Sequence, residues 1–143
     1  MPGKTPKTKF VMNTQNILSW LLRVAAAAIL LQTLYFKFTA HPQSVELFSL
    51  LGVEPWGRIG TGIIELITGI LLLIPTTAFV GAFLGIGLMS GAILSHLVFI
   101  GIESHGDGGL LFGLAIAVFV MCAAIMWLHR GQGAALYLWV RNK

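Results

Sequence analysis

The chain has 143 residues, 57% of them hydrophobic and only 10% charged, with a mean hydropathy of +0.88. That balance is far from the composition of a water-soluble domain, which needs much more polar surface to cover its core. The net charge of +4 is carried by no folded soluble module with a basic face, so a nucleic-acid partner is excluded.

Residues 1–16 read as a cytoplasmic N-terminal segment carrying Lys4, Lys7 and Lys9. The first apolar run, residues 17–36, is long enough to cross a hydrocarbon core of about 30 Å at ~1.5 Å per helical residue. Arg23 interrupts it and three more runs follow, so it reads as a retained span and not a cleaved signal peptide. In the connection over residues 37–58, the stretch 44–51 places apolar residues at i, i+3 and i+6, which predicts a short interfacial helix. Gly52 ends that helix and Pro55 restarts the chain.

The second span is placed at residues 59–74, and its shortness suggests a start nearer Pro55 and Trp56. Pro75, Thr76 and Thr77 form a short turn, which makes the second and third spans antiparallel neighbours. The third span, residues 78–100, carries the small-residue pairs Gly81 with Gly85 and Gly87 with Gly91. Such pairs allow close backbone approach, so this helix is expected to be the most buried, with a homodimer interface as their competing use. Residues 101–109 are glycine-rich, with Asp107 as the expected N-cap of a fourth span at residues 110–128. The tail, residues 129–143, mixes Leu136, Tyr137, Leu138 and Trp139 with terminal cations, as suits a segment lying along the interface.

Together these elements predict an all-α integral membrane four-helix bundle. Basic residues concentrate at the two termini, whereas Glu46, Glu54, Glu103 and Asp107 share the opposite side with only Lys37 and Arg58. The positive-inside rule therefore places both termini in the cytoplasm of a multi-pass inner-membrane protein.

Ionisable side chains within spans are costly and mark either a function or an internal pairing. Arg23, Glu65 and His96 are such residues. Counted from the predicted ends, Glu65 lies about 9 Å, and His96 and Gln32 about 6 Å, below the outer boundary. Arg23 sits about 12 Å from Glu65 in depth. Glu65 and His96 are thus the expected pair, an acid and a base suited to proton handling, or a purely structural contact. Arg23 is their electrostatic balance or a snorkelling anchor.

Other chemistry has weaker footing. Glu103, His105 and Asp107 alternate, so an extended backbone would align them toward a metal, with His41 or His96 as a further ligand; they equally suit a solvated loop. Cys122 is the only cysteine, which excludes an intrachain disulfide or a two-cysteine relay. His96 is the only histidine inside a span, which argues against a haem held by this chain alone.

From Arg23 to Arg130 the sequence resembles the DoxX-like family of small bacterial four-helix membrane proteins. The likeness rests on Arg23 opening an alanine-rich first helix, Lys37 just after it, and the run Gly60-Thr61-Gly62-Ile63-Ile64-Glu65-Leu66-Ile67-Thr68-Gly69. His96 late in the third span and Gly106-Asp107-Gly108-Gly109 before the fourth agree. Leu34 stands where the family often has a glycine. The resemblance implies a polar signature of Arg23, Lys37, Glu65 and His96, and an accessory membrane subunit of a quinone-linked or redox complex. On that view Arg23, Gln32 and Lys37 contribute to binding, Glu65 and His96 handle protons, no cofactor is intrinsic, and a quinone is the expected ligand. The alternative is a non-catalytic structural or assembly subunit of a larger membrane complex.

Overall fold

The computed structural model describes residues 13–143; Lys4, Lys7 and Lys9 lie outside them. Among the described residues every regular element is helical: α1 Thr14–Phe38, α2 Pro42–Leu50, α3 Trp56–Leu73, α4 Ala78–Ser95, α5 Leu110–Leu128 and α6 Arg130–Arg141. A 3-10 turn at Pro75–Thr77 joins α3 to α4, and a π-helical turn at His96–Ile100 extends α4. Four segments, α1, α3, α4 with its flanking turns, and α5, are long and apolar enough to cross a membrane. They match the four predicted apolar runs.

The four long helices pack as a ring, α1 on α3, α3 on α4, α4 on α5 and α5 back on α1. Its interior is made by Ala26, Ala27, Leu30, Leu72, Ala78, Ala82, Val118, Cys122 and Ile125, while large apolar side chains such as Leu21, Phe83, Leu94 and Val120 face outward. An outward apolar surface around a small-residue core is the arrangement a bilayer solvent favours.

The seam between α1 and α3 follows from spacing. Ser19, Arg23, Ala26 and Leu30 are buried on α1, and Arg58, Gly62, Glu65, Gly69 and Leu72 on α3. Successive members are three or four residues apart, a seven-residue repeat that keeps one stripe facing its partner along the whole helix. Close approach comes from α3: a Cβ on Gly62 would stand 3.0 Å from the Phe38 ring, and one on Gly69 2.9 Å from Leu31.

Burial runs against expectation for the third span. The α3 span is 33% buried and the α4 span only 17%. Gly81 and Gly85 do pack, against the Leu71–Leu72 backbone and Cys122 respectively, but a methyl group on Gly87 or Gly91 would meet nothing within 4 Å. Only one of the two small-residue pairs is therefore used inside the chain.

The start of α5 also differs from the expected cap. Gly109, in the left-handed region at φ 83°, occupies the N-cap position. Asp107 stands two residues earlier, and its carboxylate accepts hydrogen bonds from the backbone N–H groups of Ser104, Gly109 and Leu111. The aspartate thus serves the helix start from outside it, because a left-handed glycine turns the chain between them.

Candidate functional site

Two polar clusters occupy opposite ends of the α1–α3 seam. At the end carrying α2, Lys37 Nζ lies 3.0 Å from Glu65 Oε1 and 2.9 Å from Oε2. Thr33, one helical turn before Lys37, places its Oγ1 2.8 Å from Oε2 and 2.7 Å from the Leu30 carbonyl, so its single proton serves one of these two acceptors at a time. Arg58 Nε donates to both Glu54 carboxylate oxygens at 2.8 and 3.0 Å, and its Nη1 donates to the Lys37 carbonyl. Thr33, Glu65, Lys37, Arg58 and Glu54 thereby form one connected set of two cations and two anions. Formal charge cancels within it, which is what lets charged groups persist at such depth.

His96 stands apart from that set. Its Nδ1 is 2.8 Å from the Gly101 carbonyl, while the Gly101 N–H donates to the His96 carbonyl at 2.7 Å. Its ring packs on Phe112 with centroids 5.5 Å apart. The expected hydrogen-bonded pair of Glu65 with His96 is therefore not formed. Glu65 faces α1, where donors sit directly opposite, and the π-helical turn offers the imidazole a carbonyl of its own stretch of chain. Gln32 is exposed on α1 and joins neither cluster.

At the other end of the seam Arg23 is 2% exposed. Its Nε donates to the Leu72 carbonyl and its Nη2 to the Leu73 carbonyl at 2.8 Å. These are among the last carbonyls of α3, which have no partner within their own helix and carry the negative end of its dipole. Thr77 Oγ1 donates to the next such carbonyl, that of Leu71. The Trp20 ring lies 4.4 Å from the Arg23 guanidinium carbon, a cation–π contact. Arg23 therefore caps a neighbouring helix, seven residues and about 10 Å along α3 from Glu65.

Next to that cap, Ser19 Oγ and His129 Nε2 are 2.7 Å apart, linking α1 to the end of α5. Burial, and then the charge of Arg23, hold the His129 imidazole below its usual pKa. Gln132 completes this end: its side chain accepts from the Phe79 N–H and donates to the Pro75 carbonyl.

Comparison with protein-family models, curated proteins and solved structures finds no match for this chain. The geometry alone must therefore carry the functional reading. Among the described residues no three His, Cys, Asp or Glu side chains stand close enough to hold a metal. His105 turns to Glu46 at 3.8 Å and Asp107 to backbone N–H groups, so the alternating loop residues do not converge. A recess of about 200 Å³ does lie between α2 and this loop, lined by Glu46, Leu47, Leu50, Glu103 and His105.

Arg58, Glu54, Thr33, Ser19 and His129 were not among the expected site residues. Their signal was spacing: Arg58 is two helical turns before Glu65, and Thr33 one turn before Lys37, each on the face already marked as polar. Ser19 and His129 carried no such signal, because they meet only through the fold.

Proposed function

We propose that the chain is a DoxX-like subunit of the bacterial cytoplasmic membrane that anchors or assembles a larger, redox-linked complex without itself performing chemistry. The observation behind this reading is that Glu65 is already engaged by Lys37 and Thr33. A carboxylate whose two oxygens are both held by a lysine ammonium is a poor base for a passing substrate, whereas a paired charge inside a bundle selects which helices pack together. A cytoplasmic position for both termini is favoured by Arg130, Arg141 and Lys143 at one end of the bundle and Glu46, Glu54, Glu103 and Asp107 at the other.

The test is recovery of the complex from native membranes carrying Glu65→Gln or His96→Ala. The anchoring role expects complex recovery and turnover to fall together. Turnover lost from a fully recovered complex would overturn it.

That outcome would favour a second reading, quinone head-group binding with electrons from a partner. It draws support from residual access at the Lys37 and Glu65 side chains, 13% and 7% exposed, which offers a donor and an acceptor at the edge of the seam. Quinone retained by the purified wild-type chain and lost from Lys37→Met would support it.

A further inference from the structure

Among the described residues, helix α6 is the one long element whose side chains are almost all exposed, although the four residues before Arg141 are large and apolar: Tyr137, Leu138, Trp139 and Val140. Its orientation is set at one point. Gly133 packs so closely on Phe79 that a Cβ there would stand within 3 Å of three ring atoms, and Gln132 is tied to the α3–α4 turn. The Gly133 face of α6 is therefore the face turned to the bundle.

Leu136, Tyr137 and Val140 follow Gly133 at i+3, i+4 and i+7, so they continue that same face beyond the edge of the bundle. All three are exposed. Arg130 and Arg141, three turns apart, return to nearly the same angle on the helix and border one edge of that face. Lys143 follows, with its ammonium 4.6 Å from the Trp139 ring, and the Arg130 guanidinium lies 4.8 Å from the Trp127 ring. None of the five carboxylate side chains of the chain lies beyond Asp107, so no acidic side chain of α5, α6 or the tail neutralises these cations. Exposed tryptophans paired with cations beside an apolar helical face are the elements that seat a helix in the headgroup layer.

We propose that α6, with Arg130, Arg141 and Lys143, is a binding surface for anionic phospholipid headgroups. Leu136, Tyr137 and Val140 sit at the acyl boundary while the three cations meet headgroup phosphates. Gln132 and Gly133 fasten this surface to the α3–α4 turn, so lipid occupancy is coupled to the base of the bundle.

The test compares the full-length wild-type chain with the R130Q/R141Q/K143Q variant. Both are reconstituted in nanodiscs containing phosphatidylglycerol and phosphatidylcholine in equal amounts, and the lipids retained after mild detergent extraction are counted by native mass spectrometry. A Lys or Arg near an anionic surface is worth about 1 kcal/mol, or roughly fivefold in partition. The wild type should retain phosphatidylglycerol preferentially, and the variant should lose at least fivefold of that preference while its far-ultraviolet circular dichroism is unchanged. A second variant, Gln132→Ala, should keep the cations but lower the preference by loosening the helix. Equal retention of the two lipids by the wild type, or an unchanged preference in the triple variant, would overturn the proposal. So would a preference unchanged by the triple variant alongside loss of a co-purifying protein, which would make the face a protein-docking surface.

Discussion

Ser19 Oγ and His129 Nε2, 110 positions apart in the chain, meet at 2.7 Å and join the first spanning helix to the end of the last. Burial and the neighbouring Arg23 both oppose protonation of the His129 ring. With the folded-state pKa below the usual imidazole value, the unfolded chain binds more protons. The stability gained by keeping this ring neutral is therefore complete at neutral pH. It is lost as pH falls through the ordinary imidazole range toward the lower folded value. Thermal unfolding in detergent between pH 7.5 and 5 should show that slope, and His129→Gln should flatten it.

Lys37→Met should destabilise the bundle more than the Lys37→Met/Glu65→Gln pair does. Removing one partner leaves a buried carboxylate uncompensated, at about 3–5 kcal/mol, whereas removing both charges leaves none. Unfolding titrations of the single and double variants, read as a double-mutant cycle, check the coupling. Additive effects would show that Thr33 alone satisfies Glu65.

Gly85→Ala should cost about 1–3 kcal/mol, because its Cβ would fall 2.5 Å from Cys122 Sγ. Cys122→Ala should restore most of that loss, since the Cys122 Cβ stands at an ordinary 3.6 Å from the same point. Gly87→Ala and Gly91→Ala meet open space and should stay within about 0.5 kcal/mol of wild type. Unfolding midpoints of the four variants decide the matter.

Asp107→Ala should loosen the start of α5. The backbone N–H groups of Leu111, Ser104 and Gly109 hold the Asp107 carboxyl below the usual carboxylate range. The stabilisation is therefore present above that range and is lost only as pH falls through the lowered value. Faster hydrogen exchange at Leu111 and Gly109 in the variant, with the distant Arg23 cap unaffected, is the expected result.

Local properties of the chain were legible without its fold. Length and apolarity are summed along a segment, so residues 110–128 could be marked as a helix from the sequence, and the structure places α5 at Leu110–Leu128. The same holds for the turn at Pro75 and for the polar face of α3, since Glu65 and Arg58 share it by helical periodicity alone. The depth of Arg23 relative to Glu65 followed from rise per residue. The end of the third span at residue 100 was legible too, since α4 and its π-helical turn run to Ile100; the π geometry of that last turn, where the His96 ring meets the Gly101 carbonyl, was not.

The sequence by itself determined that four apolar helices form and which of their faces carry charge, because hydrophobicity and periodicity are written residue by residue. Only the tertiary structure decided the partners: Glu65 with Lys37 and not His96, Arg23 with the end of α3, Ser19 with His129. Each partner depends on how two helices are rotated and staggered against one another. That is settled by close contacts such as Gly69 on Leu31 and Gly85 on Cys122, and a helix's own sequence records no such contact.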